Sequence, residues 1–240
     1  MRTPSFAVLL VGLGAATLCQ AQGDELSARD APALAMEGYW ISVVTEDWKY
    51  RMVSPNAGEY AGIPLNAAAR AEADAWNAST GDACRVYGAA NIMRVPTRLR
   101  IGWADEDTLR IETDAGSQRR LLHFGAATDA AGAPASLQGY STAEWRYAAG
   151  ESPADAGDNR GSMKVYTSRL VPGQLRANGV PYSAQTSMTE YFNVFDTPNG
   201  DRLLVITTIV EDPVYLSRPF YNSTHFKRLS DDSGWDPSAC

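Results

Sequence analysis

Histidine and cysteine are scarce: the 240 residues hold two histidines, His123 and His225, and three cysteines. No His-x-His or Cys-x-x-Cys pair occurs, so the four nitrogen or sulfur donors of a structural zinc site are not assembled locally. No Gly-x-x-x-x-Gly-Lys phosphate loop is present, and Gly12-Leu13-Gly14 sits in an apolar leader rather than a strand-to-helix turn. Basic residues are outnumbered, 21 Lys and Arg against 28 Asp and Glu, for a net charge of −7. That balance argues against non-specific attraction to nucleic acid or an anionic membrane. Beyond the N-terminus no apolar run approaches the roughly 20 residues of a transmembrane helix. There is no internal repeat. No cofactor and no metal is implied.

What is present reads as a globular, exported chain. Hydrophobic residues make up 45% and charged residues 20%, enough apolar surface to bury a core. Arg2, the apolar stretch Phe6 to Leu18 and the small-residue site Cys19-Gln20-Ala21 read as a signal peptide over residues 1–21, cleaved after Ala21. A lipoprotein with Cys19 lipidated is the rival reading, disfavoured by the bulky Leu18 before it. Cleavage removes Arg2 and one cysteine and leaves Cys84 and Cys240, an even pair that reads as one disulfide closing a long loop. The expected location is periplasmic or secreted.

Residues 22–37 are polar, alanine-rich and without period, which predicts a flexible leader to a single domain over 38–240. Gly38 to Val44 is a β-branched and aromatic run, and Trp48 to Val53 reads as a second. One helix is predicted where Leu65, Ala69, Ala73 and Trp76 recur at helical spacing behind Pro64, with another turn or two over 84–93. From Pro96 the pattern is strand after strand. Leu99, Ile101 and Trp103 alternate with Arg98 and Arg100, Leu109 and Ile111 alternate with Arg110 and Glu112, and Asp105-Glu106-Asp107 turns between them. Further strands are predicted through Phe124 and over 162–170, 187–195, 203–210 and 220–229, with Pro198-Asn199-Gly200-Asp201 as a hairpin turn. The Ala/Gly stretch 125–136 and the acidic stretch 150–161 read as loops. The predicted fold class is all-β with one or two short helices: an antiparallel meander of about 8–10 strands closed into a barrel, which removes exposed edges.

Two acid–base candidates emerge. On the strand from Ser187, Met188, Glu190 and Phe192 share one face. If that face is inward, Glu190 is a carboxylate among apolar neighbours; if Thr189 and Tyr191 face inward, it is solvated. His123, between Leu122 and Phe124, poses the same question, as does Glu144 beside Trp145. Asp212 before Pro213 reads as a turn cap. Gly139-Tyr140-Ser141-Thr142-Ala143 has the outline of a nucleophile elbow but lies among predicted strands, not at a strand-to-helix turn. Trp40, Trp103 and Trp145 fall on separate strands, where a pocket could gather them.

Two blocks carry a resemblance. One runs from Gly139-Tyr140-Ser141 and Glu144-Trp145 through Leu175 to Ser183 and on to Thr189-Glu190-Tyr191-Phe192. The other runs from Leu203 through Glu211-Asp212-Pro213 and Arg218-Pro219-Phe220 to His225-Phe226-Lys227-Arg228. Together they resemble the barrel of uncharacterised secreted bacterial proteins with a lipocalin-like, calycin architecture, and Gly38-Tyr39-Trp40 is similar to the Gly-x-Trp that opens many lipocalin barrels. Where that block usually reads Trp-Glu-Gly-Asp, this chain has Trp145-Arg146-Tyr147 and a loop, so a carboxylate is missing. The resemblance implies a barrel that carries a small hydrophobic or aromatic molecule in its interior, with Tyr182, Glu190 and Phe192 joining the three tryptophans as ligand-binding candidates. The alternative it allows is a cofactor-free lyase, isomerase or dehydratase using Glu190 or His123 as general acid or base. An envelope assembly partner is the third possibility.

Overall fold

Along most of nine strands buried side chains recur at every second position, and these strands close on one another. The computed structural model describes residues 26–79, 81–125, 132–150 and 161–240. The candidate signal peptide, residues 22–25 and most of the two expected loops lie outside them. The strands are β1 (Gly38–Val43), β2 (Arg98–Trp103), β3 (Thr108–Thr113), β4 (Arg119–His123), β5 (Tyr140–Tyr147), β6 (Gly161–Ser168), β7 (Gly173–Arg176), β8 (Val180–Tyr182), β9 (Ser187–Asp196), β10 (Arg202–Glu211) and β11 (Phe220–Leu229). All but β7 and β8 form a closed barrel in the order β1-β11-β10-β9-β6-β5-β4-β3-β2. The fold is an all-β barrel with a few short helices.

Closure imposes one departure from the antiparallel meander. Strands that alternate in direction close seamlessly only when their number is even. With nine, one neighbouring pair must run parallel, and that pair is β4–β5, joined through Leu122↔Ser141 and His123↔Thr142. Every other barrel pairing is antiparallel.

The interior is layered. Following β9 inward-facing residues, Met188 belongs to one apolar cluster, Glu190 is polar, and Phe192 belongs to a second apolar cluster. The same order repeats on β10 (Val210, Thr208, Ile206) and β11 (Phe220, Thr224, Phe226). A polar band of Arg120, Ser141, Thr167, Glu190, Thr208 and Thr224, all buried, therefore separates two apolar layers.

One end of the barrel is capped by the segments that leave it, 44–97 and 169–186. Here α1 (Trp48–Arg51), α2 (Ala67–Ala75), a 3₁₀ turn (Ala83–Tyr87) and α3 (Ala89–Ile92) pack with the β7–β8 hairpin, which sequence patterning did not predict. The α2 helix forms where helical spacing predicts it. Asn66 caps it by accepting a hydrogen bond from Ala69 N at 3.0 Å, and its Ala69 and Ala73 face is buried. A cap of this kind contributes about 1 kcal/mol. The run Trp48 to Val53 is not the expected strand but includes the single helical turn α1. Its apolar residues Trp48, Met52 and Val53 are exposed, while Arg51 is the residue turned inward.

The other end is closed by residues 26–37, the described part of the expected flexible leader. Trp40 Nε1 donates to Met36 O (2.9 Å), Trp145 Nε1 to Ala28 O (2.9 Å) and Tyr147 OH to Ala31 O (2.6 Å). Leu34 and Met36 insert into the barrel's apolar layer. Aromatic polar handles from the barrel rim satisfy the segment's carbonyls, so order here comes from tertiary partners that no local periodicity announces.

The Cys84–Cys240 disulfide joins the cap to the last residue across a sequence separation of 156. No helix among the described residues is long and apolar enough to cross a membrane.

Candidate functional site

The residues singled out in the sequence separate into three places. At the mouth closed by residues 26–37, Trp103 from β2, Trp145 from β5 and Phe124 after β4 form one aromatic cluster. The Phe124 and Trp145 centroids lie 4.8 Å apart, Trp103 and Phe124 5.6 Å, and Trp103 and Trp145 6.5 Å. Trp40 is sealed in the same apolar layer, with the Arg228 guanidinium 5.2 Å over its ring. Phe192 is fully buried there too and is core filling.

Clefts open on both sides of the plugging segment. One, of about 250 Å³, is bounded by Leu34 and Met36 on the segment and by Trp103, Trp145, Arg202 and Arg228 on the barrel. The other, of about 620 Å³, lies between Leu26 to Ala31 and Phe124, Trp145 and Tyr147. Trp145 is common to both. With Arg29 and Glu37 also in its walls, the smaller cleft carries three arginines and one carboxylate. Arg202 is paired with Asp196 at 2.9 Å. Arg228 is half-buried, and among the described residues no carboxylate lies within ion-pair distance of it. Burial, then repulsion from Arg202, holds its guanidinium below the ordinary range against the pull of Glu37. A cation beside aromatic rings in a partly dry cleft suits a ligand with an apolar body and an anionic end.

Glu190 does face inward, but it is sealed. Its carboxylate is gripped at both oxygens by Arg120 from β4, with Nη2–Oε2 at 2.5 Å and Nη1–Oε1 at 3.1 Å, and both side chains are 1% exposed. Arg120 Nη2 also reaches Thr167 Oγ1 at 3.4 Å, and Thr167 shares a hydrogen bond with Ser141 at 2.8 Å. Sequence reasoning missed Arg120. The signal was its period-two companionship with Leu122 and Phe124, which puts a cation on the inward face opposite Glu190. His123 turns the other way: it stacks on Tyr140 at 4.9 Å on the barrel's outer side, beside Thr108 Oγ1. The two acid–base candidates are thus on opposite faces of the wall and form no constellation.

The remaining candidates are structural. Tyr182 lies in the cap hairpin, away from the tryptophans, packed between Gly88 and Gly173, with its buried hydroxyl unpartnered and its ionisation pushed well up by desolvation. Glu144 is exposed, and its hydrogen bond to Arg146, with Lys164 nearby, outweighs burial and holds it below the usual carboxylate range. Asp212 is the turn cap expected of it, accepting from Ser183, Thr186, Val214 and Tyr215. Gly139 to Ala143 runs into β5, without an elbow's helix. An outer groove of about 590 Å³ runs beside β1, β2 and the C-terminal residues, but its Arg98 and Asp114 are paired with each other. Among the described residues no cluster of three metal-ligating side chains occurs.

Comparison with protein-family models, with curated proteins and with solved structures finds no match to this chain.

Proposed function

We propose that this protein is an exported, lipocalin-like binding module that takes a small apolar or aromatic molecule with one anionic group, at the mouth of its barrel rather than deep inside it. The carrying observation is the cleft of about 250 Å³ in which Trp103 and Trp145 meet the half-buried Arg228, which has no carboxylate within ion-pair distance among the described residues. An apolar cavity of about 150 Å³ accepts benzene, so this volume suits one or two rings. The deeper interior is occupied by Trp40, Met163, Phe192 and Phe226, each fully buried, which leaves the mouth as the place where a ligand meets aromatic surface. Export is supported by the signal-like residues 1–21 and by the disulfide, a bond of oxidising compartments. Lipocalin barrels have eight antiparallel strands; the likeness to them is one of architecture, since this barrel has nine and a parallel seam. The catalytic alternative is weaker, because Glu190 is sealed on Arg120 and His123 faces outward.

Native mass spectrometry of protein purified from the compartment it is exported to tests this reading. A low-mass adduct that disappears in Trp145→Ala is expected. Absence of any adduct, together with no binding of aromatic sulfonates or carboxylates, would overturn it.

A further inference from the structure

Three arginines far apart in sequence meet inside the cap, at the end of the barrel opposite the aromatic mouth. Arg51 comes from α1, Arg94 follows α3, and Arg176 ends β7. Their side chains are buried: those of Arg51 and Arg94 are 2% and 5% exposed, and Arg176 as a residue is 4% exposed. Part of each guanidinium is satisfied. Arg51 Nε donates to Arg94 O at 2.7 Å, and its Nη1 donates to Glu46. Arg94 Nη2 donates to Asp47 Oδ2 at 2.8 Å. Arg176 donates to the carbonyls of Glu59 and Ala61, both at 3.0 Å, and stacks 4.3 Å over Tyr50.

The rest is not satisfied. Arg51 Nη2, Arg94 Nη1 and Arg176 Nε are each buried without a hydrogen-bond partner among the described residues. All three residues line one cavity of about 50 Å³, with Tyr50, Asn91 and Leu175 among its other walls. A buried donor left unpaired costs about 1–3 kcal/mol, and more when charged. Three arginines with such donors lining one void is the arrangement of a site whose occupant is an acceptor. Two of the carboxylates around them are turned elsewhere. Of Glu46, Asp47 and Glu59, the Asp47 side chain is 46% exposed at the rim rather than inside, and Glu59 is paired with Lys49 at 3.1 Å. Burial, then repulsion from Arg94, pushes the Arg176 guanidinium below its ordinary range; Arg51 is lowered by burial too, with Arg94 working against the pull of Glu46.

Size narrows the occupant. At about 50 Å³ the cavity is several times smaller than the clefts at the mouth, room for a compact polyatomic ion and not for a ring-sized molecule. Guanidinium forks match an oxyanion's geometry, offering paired N–H groups to adjacent oxygens. We propose that Arg51, Arg94 and Arg176 form a buried binding site for a tetrahedral oxyanion of the phosphate or sulfate class, independent of the aromatic mouth. The ion locks together α1, the end of α3 and the β7–β8 hairpin.

Isothermal titration of the full chain with inorganic phosphate and with sulfate tests this, at ionic strength fixed with chloride. Saturable one-to-one binding is expected, with at least tenfold weaker binding in Arg94→Lys and in Arg51→Lys, each checked for retained β-sheet circular dichroism. Phosphorus NMR of wild-type protein with equimolar phosphate supplies a readout that needs no variant, a broadened line that sulfate sharpens. A parallel titration with glycerol phosphate identifies the source: binding as tight as phosphate means the site takes the end group of a monoester, and no binding means the free ion. Absence of saturable binding above the chloride background means that the cavity holds water and overturns the proposal. Binding unchanged in both folded lysine variants overturns it as well, by placing the ion elsewhere.

Discussion

At the scale of single residues, the tightest packing in the cap is around Tyr182. A methyl group built on Gly88 or on Gly173 would overlap the Tyr182 ring and hydroxyl, and Gly88 has an ordinary φ of −67°, so the obstacle there is steric alone. Gly88→Ala is expected to destabilise the protein by about 1–3 kcal/mol, as overpacking does. Tyr182→Phe removes the clashing, unpartnered hydroxyl. It should be neutral or stabilising alone and should recover most of the loss in the double variant. Urea unfolding of the four proteins reads the coupling directly, and additive effects would refute the packing account. The Arg120–Glu190 pair makes a second residue-scale prediction. Removing either partner strands a buried charge, so Glu190→Leu should cost about 3–5 kcal/mol, whereas Arg120→Met with Glu190→Leu should be neutral or stabilising. Glu190's face was one of two readings the alternation left open, because period two divides a strand's side chains into faces without saying which is inside. The arginine on the inward face of β4, across the barrel from β9, marks the side that is inside.

At the scale of elements, alternation and helical spacing located the strands of the barrel and α2, where a buried face repeats over several residues. They misplaced what is held by tertiary partners. Trp48 to Val53 has strand-like composition, yet β propensity describes a fit to a half-buried pleated surface, and here the inward group is Arg51, bonded to Glu46 and Arg94. Residues 26–37 have no period to read, and are held through the carbonyls of Met36, Ala28 and Ala31 by Trp40, Trp145 and Tyr147. The three-arginine cavity was invisible for the same reason, its members being separated by some forty and eighty positions. One element junction carries a pH prediction. Asp114, at the end of β3, accepts from Thr97 Oγ1 (2.7 Å), Arg98 N (2.8 Å) and Ala115 N (2.7 Å). Burial raises its pKa, but these hydrogen bonds and the Arg98 guanidinium outweigh burial and leave it lowered. A carboxylate lowered on folding stabilises above its unfolded pKa of about 3.9 and loses that stabilisation as pH falls through the folded value. Thermal midpoints should therefore fall below about pH 4, and Asp114→Asn should be less stable at pH 7 and flatten that acid limb. An unchanged acid limb would contradict this account of the junction.

At the scale of the molecule, a barrel closed by a cap and a plug is fastened at its C-terminus. The disulfide sets Cys240 against the cap, while Trp235 lies 4.1 Å from the Arg100 guanidinium and Ser238 N donates to Asp114 O. Reduction, or Cys84→Ser with Cys240→Ser, is expected to cost about 2–5 kcal/mol, read as a lower urea midpoint in reductant. No change would mean that the tail contacts alone hold the end. The central claim concerns the other end, where plug, aromatic cluster and Arg228 make a cleft for an amphipathic molecule. Equilibrium titration of the folded protein with a fluorescent aromatic sulfonate, repeated on Trp145→Ala and Arg228→Gln, tests it most directly. The account predicts saturable one-to-one binding, at least tenfold weaker in either variant and insensitive to Arg94→Lys. Failure to saturate, or equal affinity in all four proteins, would contradict it.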